Sequence, residues 1–303
     1  MRSATPGEQS AFLRALLIGA LIYAIIVATK TAEVWDVKSF NWTRFGVGVS
    51  NIRQVGFYGI TLVGLSIGLL ANKAASRPEK LLAFAALFAG FCLLLGNGGR
   101  SGFGGGLVAV VAVLIFAAPG SRQRLAEITG LAILCALPIG MLHWPSPLLG
   151  LANLYSRTLV MENVENFDSS RLLFWKETFE RFLDRPAFGY GEDQFRELVQ
   201  VARRGFNHPH NSVLQFLFQW GLVGTSLLTL AFIDFPARAI KASRERPDIM
   251  LPAIGPVAGL LAMSLLEGSL YHTYPIMIII VCTATIYTVS EPLKTGPQSR
   301  ISG

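Results

Sequence analysis

The chain has 303 residues, 52% of them hydrophobic and only 15% charged, with a mean hydropathy of +0.48 and a formal charge of +7. This balance excludes an ordinary soluble domain. The basic excess sits in short loops between apolar windows, so it reads as membrane topology and not as a nucleic-acid surface.

In chain order, the first apolar stretch covers about residues 11–29, with Arg14 able to snorkel. It is long enough to span and no small-residue cleavage site follows, so it is expected to be retained and not removed as a signal peptide. Nineteen uncharged residues separate Arg53 from Lys73, nineteen separate Lys80 from Arg100, and twenty-one separate Arg100 from Arg122. Further spans fall at about 126–143 and 213–233. Eighteen uncharged residues then lie between Asp248 and Glu267, and twenty-three between Glu267 and Glu291. A bilayer core about 30 Å thick needs roughly 20 helical residues, so each window is one span. The expected fold is an all-α polytopic membrane protein with about eight transmembrane helices and one helical outer loop.

Loop charge sets the orientation. Segments 72–80 (Lys73, Arg77, Lys80), 119–125 (Arg122, Arg124) and 234–248 (Arg238, Lys241, Arg244, Arg246) are basic. The positive-inside rule places them, and both termini, in the cytoplasm. The chain then divides into five membrane helices over 1–143, a periplasmic helical loop over 144–212, and three helices with a cytoplasmic tail over 213–303. Cys92, Cys135 and Cys282 fall inside spans and read as small packing residues. No Walker-type phosphate loop appears, so ATP is not an evident fuel.

The long loop has internal order. Residues 169–183 read as an amphipathic helix, with Leu172, Trp175, Phe179 and Phe182 at three- and four-residue spacing. Pro186, Gly189 and Gly191 supply a turn. Asp193 is placed to cap a second helix over about 194–204, ending at Arg203 and Arg204 and stopped by Gly205.

The polar groups expected at the outer face are Arg44, Arg53, Arg100, Arg171, Arg203, Arg204, His208, His210 and Asn211. Arginine's planar fork matches phosphate oxygens, and histidine is the side chain whose proton moves near neutral pH. Arginines with a histidine at a lipid–water boundary fit a phosphorylated lipid and one proton transfer. Each residue also has a plainer reading. Seven of the eleven residues from Gly96 to Gly106 are glycine, which serves an anion nest around Arg100 or close helix packing equally well. Taken alone, Arg171 reads as an ordinary surface helix residue paired with Asp168, and His210 as a helix-capping or interface residue. His208 and His210 have the spacing of zinc ligands, but no third His or Cys stands near them. Glu192, Asp193 and Glu197 are the closest upstream carboxylates, so no metal is expected. His143 and His272 read as interfacial.

At this point a family resemblance enters. Arg171–Trp175 as Arg-x-x-x-Trp, then Pro186, Gly189 and Gly191, then His210-Asn211 with Leu214, Gly221 and Gly224 entering a membrane helix, resemble the O-antigen ligase and O-antigen polymerase superfamily. The turn around Arg100 is similar to a Ser-Arg-Gly turn of that family, with Gly99 where serine is usual. The resemblance covers about residues 80–235. Family members commonly carry more spans than eight, so an amino-terminal block is expected to be absent.

The resemblance implies glycan transfer, in a bacterial inner membrane, from a polyprenyl-diphosphate-linked donor to the hydroxyl of a glycan or lipid-core acceptor. His210 would be the base, Arg100 and Arg171 would neutralise the leaving diphosphate, and Arg44, Arg203, Arg204, His208 and Asn211 would bind substrate. Neither metal nor cofactor is implied; membrane lipids surround the protein, and room is left for a partner subunit or an oligomer. The single long outer loop favours a ligase over a polymerase. A lipid or glycan transporter is the reading from another class, disfavoured because ionisable groups are nearly absent from the span centres.

The orientation has a direct check. Single cysteines introduced at Glu165 and Lys241 are expected to label oppositely with an impermeant thiol reagent in intact cells, Glu165→Cys reacting and Lys241→Cys protected. The reverse pattern would overturn the topology.

Overall fold

The computed structural model describes residues 5–159, 169–200 and 206–290. Its helices are α1 (Pro6–Val34), α2 (Val55–Ala71), α3 (Arg77–Gly96), α4 (Arg100–Phe116), α5 (Pro119–Met141), α6 (Gly150–Leu159), α7 (Ser169–Asp184), α8 (Phe195–Leu198), α9 (Ser212–Ala231), α10 (Phe235–Glu245), α11 (Pro247–Ser264) and α12 (Thr273–Ser290). Among the described residues the sole β feature is an isolated Gly46–Val49 bridge.

The chain is an all-α polytopic membrane protein. Among the described residues, seven segments are long and apolar enough to cross a bilayer. The eighth expected span forms α4, which has 17 residues and is therefore about 25 Å long. One face of it packs against α2 and α11, while Leu107, Val108, Val111 and Ile115 are exposed. Capping boxes fix two helix starts, Thr5 with Glu8 on α1 and Ser76 with Glu79 on α3. Arg14 is paired with Glu79 at 2.9 Å, tying α1 to α3. Cys282 is buried and Cys92 half-buried, but Cys135 is exposed on α5 and does not serve packing as expected.

Lipid offers no hydrophobic drive to bring helices together, so close backbone approach has to do it. At the centre, Gly64 and Gly68 of α2 lie against Gly255, Pro256 and Pro252 of α11, so near that any Cβ would strike backbone. The glycine run resolves the same way. Only Asn97–Gly99 form the turn; Gly102, Gly105 and Gly106 belong to α4 and pack against Gly56, Gly259 and Leu94.

The loop departs from expectation in four places, and the inner segment 234–248 in a fifth. α6 was not foreseen; its Asn153 Nδ2 donates to the Gly98 carbonyl at 2.9 Å, bracing the α3–α4 turn. On α7 the buried positions are Phe174, Thr178 and Phe182, while Leu172 and Phe179 are exposed, so the covered stripe is displaced from the expected one. Of the helix expected over 194–204, residues 201–204 lie outside the described residues, and in the described part the α-helix is the single turn α8, because Val199 is fully buried in extended conformation beside Phe195, Phe174 and Phe218. Asp193 has φ 57 and does not cap it. The basic segment 234–248 is itself helical as α10, where Arg238 lies over the Tyr287 ring at 4.6 Å.

α9 is broken at Gly221 (φ 64, ψ −167). The Pro186–Gly191 turn fills the break. Leu222 N–H donates to Pro186 O (2.7 Å) and Val223 N–H to Ala187 O (3.0 Å). In return, Tyr190 and Gly191 N–H donate to Phe218 O (2.9 Å) and Gln219 O (2.8 Å). Glu192 then accepts from Gln219 Nε2 and Trp220 Nε1, each at 2.9 Å. A helix break at membrane depth is tolerated where protein re-satisfies the freed backbone groups, as this turn does. It also anchors α7 to α9.

Gly221→Ala would force a side chain into left-handed backbone and against the Ala187 carbonyl. A cost of about 1–3 kcal/mol is expected, read as a lowered Tm of the detergent-solubilised protein. An unchanged Tm would contradict the docked turn.

Candidate functional site

Five segments converge at the end of the bundle that carries the long loop. They are the 3-10 turn Ile52–Gln54, the start of α4, the start of α7, the crossing 206–211, and the link from α11 to α12. At their centre is Glu267, which follows the last turn of α11 and donates its N–H to Met263 O at 2.9 Å.

The Glu267 carboxylate is shared. Oε1 accepts from Arg171 Nη2 at 2.8 Å and from Ser101 Oγ at 3.3 Å, and Oε2 lies 3.2 Å from His210 Nδ1. Its side chain is 16% exposed. Burial by itself would raise the carboxyl. The hydrogen bond from His210 and the charges of Arg171, His210 and Arg53 outweigh that and hold it down at about 2. Glu267 is therefore ionised across the physiological range.

An ionised carboxylate can only accept, so His210 Nδ1 carries the proton in this contact, and in the neutral imidazole the free lone pair is then on Nε2. His210 has φ 55, an unusual backbone conformation for a non-glycine residue. Its N–H donates to His208 Nδ1 at 3.3 Å, and its ring stands edge-on to those of His208 (centroids 4.4 Å) and Phe206 (5.6 Å). Burial, helped by neighbouring His210 and His272, pushes His208 down to about 3, so it stays a neutral packing ring. Its ring lies so close over Gly268 that a Cβ there would overlap it. Trp175 Nε1 donates to Pro209 O at 2.9 Å, locking α7 to the crossing. Asn211 Oδ1 accepts from Leu214 N–H at 3.0 Å and caps α9.

The sequence-derived residues are thus brought together unequally. Arg171, His208, His210 and Asn211 share one constellation. Arg171 pairs with Glu267; Asp168, its expected partner, lies outside the described residues. Arg100 is the first residue of α4, next to Ser101, with Gly99 as a helix cap that makes no side-chain hydrogen bond. That helix N-terminus carries the positive end of the helix dipole. Arg53 stands close enough for its charge to act on Glu267. Arg44 is exposed in the turn Trp42–Arg44 and, among the described residues, makes no hydrogen bond or ion pair to the cluster. Arg203 and Arg204 lie outside the described residues.

Sequence reasoning missed Glu267, Ser101 and His272. His272, set aside as interfacial, has a half-buried ring whose Nε2 is 3.2 Å from Gln54 Nε2, and burial lowers its pKa. Glu267 did leave a signal: it is the one Asp, Glu, Lys or Arg between Asp248 and Glu291.

Chemically, the constellation offers a bidentate cation, a helix N-terminus and an imidazole with one free nitrogen. Residues 84–229 match the family model described as O-antigen ligase. A curated O-antigen ligase of Pseudomonas aeruginosa is 24% identical over 258 residues, which cover 85% of this chain and 58% of that protein. The chain thus spans less than two thirds of this relative's length. Both findings bear out the resemblance to the O-antigen ligase superfamily carried by the loop motif. Arg100, Arg171 and His210 lie inside the matched residues; Glu267 lies beyond them.

Gly268→Ala changes no ionisable group, yet its Cβ would displace the His208 ring and, through it, the His210 backbone. Activity is expected to fall by about tenfold or more while the protein remains folded in detergent. Wild-type activity would contradict this packing.

Proposed function

With an O-antigen ligase match across residues 84–229 as premise, we propose that the chain transfers a glycan from a polyprenyl-diphosphate carrier to an acceptor hydroxyl at the periplasmic face of a bacterial inner membrane. Both termini are cytoplasmic in this reading. The observation that carries it is the contact chain Arg171–Glu267–His210, which puts a phosphate-matching fork and a proton-accepting ring on one carboxylate.

The reaction is a single displacement. The acceptor oxygen attacks the anomeric carbon as the bond from that carbon to the diphosphate oxygen breaks, and its electron pair leaves with the diphosphate. A diphosphate is a good leaving group, so charge neutralisation suffices and no general acid is required. Arg171, Arg100 and the N-terminus of α4 supply it. His210 Nε2 takes the acceptor proton, and Glu267 stabilises the imidazolium that forms. Attack opposite the leaving group inverts the anomeric centre. Asn211 and His208 hold His210 in place; a substrate-binding role for Arg203 and Arg204 rests on the family resemblance alone.

A polymerase would share donor and base and differ only in its acceptor. The single long loop supports the ligase reading, with a glycan or lipid core as acceptor.

His210→Ala is expected to lower the transfer rate roughly 10²–10⁴-fold with donor binding retained, and activity of the wild type should fall as pH drops and the imidazole becomes charged. Arg171→Lys keeps the charge but not the fork, so most activity should be lost, and chelators should have no effect. Near-normal transfer by His210→Ala, measured with purified protein and a lipid-diphosphate glycan, would refute the reading.

A further inference from the structure

Glu267 has two strong partners on its two oxygens, and they have opposite uses. Arg171 is the group that a diphosphate would take; His210 is the group that must accept a proton. One carboxylate serves both, with Oε1 on Arg171 at 2.8 Å and Oε2 on His210 at 3.2 Å. Arg171 is 29% exposed at its side chain, so an incoming anion can reach it, whereas the carboxylate is more deeply covered at 16%.

A carboxylate already neutralised by a guanidinium stabilises an adjacent imidazolium less than one that is not. Whatever draws Arg171 away therefore makes His210 a stronger base without touching it. We propose that Glu267 is a positioning residue that couples donor binding to base strength. While Arg171 is paired with it the carboxylate is shared; when the donor diphosphate takes the Arg171 fork, the carboxylate is left to His210. This rests on the reading of His210 as base and Arg171 as donor ligand given above.

The electrostatic surroundings are compatible with such a handover. Glu267 is faced by Arg171 from α7, by His208 and His210 from the crossing, by Arg53 from the Ile52–Gln54 turn, by Ser101 from α4 and by His272 from the α12 approach. His208 and His272 are both held neutral by burial. Arg53 and the Ser101 hydroxyl remain when Arg171 leaves, so the carboxylate is not stranded in a buried site. The proton balance is simple: Nδ1–H stays on His210 and points at Glu267, and the acceptor proton arrives on Nε2 as the glycosidic bond forms.

The first measurement uses the wild-type protein. The acid limb of kcat reports the donor-bound enzyme and that of kcat/KM the free enzyme. The coupling predicts that the kcat limb lies at higher pH, because the carboxylate left to His210 favours the imidazolium. Coincident limbs would overturn it.

The second uses Glu267→Gln, which keeps shape and loses charge. Its kcat should fall by about 10² or more, since a carboxylate orienting a catalytic histidine is worth up to about 10⁴ elsewhere. Its donor affinity should be unchanged or tighter, because Arg171 has lost a competing anion. Its acid limb should move to lower pH and the separation between limbs should shrink. Glu267→Asp, with charge but shorter reach, should recover part of kcat. A merely structural role would weaken donor binding and kcat together, and that result, or a wild-type kcat in Glu267→Gln, overturns the coupling. If His210→Ala is inactive while Glu267→Gln behaves as wild type, only the coupling falls. If His210→Ala is active, the functional reading beneath it falls.

Discussion

A single largely covered carboxylate organises this end of the molecule. Glu267 is ionised despite its burial because Arg171, His210, Ser101 and Arg53 surround it. Leaving such a charge unpaired would cost several kcal/mol, so the fold must deliver its partners together. They come from distant parts of the sequence: Arg171 is 96 residues away and His210 is 57. The loop helix, the crossing and the α11–α12 link are thus held together by the charge that also defines their chemistry.

The scaffold beneath is built for exact placement. Backbone-to-backbone packing of α2 with α11 fixes the end of α11, and hence the position of Glu267. The Pro186–Gly191 turn fills the α9 break and sets the α7–α9 angle, and the Trp175 to Pro209 hydrogen bond ties α7 to the crossing. His210 is held in a left-handed backbone conformation between His208 and the Asn211 cap. Strain of this kind persists only where the surroundings over-determine it, and it concentrates at functional sites.

The spans were legible in sequence because charge is excluded from the bilayer core, and uncharged windows of the right length need no tertiary information. The amphipathic loop helix was legible for a similar local reason, whereas Asn211, expected as a substrate ligand, caps α9, a role the sequence offered to His210. In the described part of the helix expected over 194–204, the α-helix stops at Leu198 because burial of Phe195 and Val199 against Phe174 and Phe218, a long-range effect, overrides the local pattern. The glycines after Arg100 were ambiguous until α2 and α11 were seen to lie against them. Glu267 was overlooked because a lone acid at the end of a span makes no local pattern. Its meaning lies in contacts that no spacing rule encodes.

The account's central claim is that Arg171 and the α4 N-terminus receive a lipid diphosphate beside His210. A cryo-EM structure with polyprenyl diphosphate bound tests it most directly. The diphosphate oxygens should lie within about 3 Å of the Arg171 guanidinium, with Arg171 drawn off Glu267 and the Glu267 carboxylate still on His210 Nδ1. A diphosphate bound elsewhere, with the Arg171–Glu267 pair intact, would contradict it.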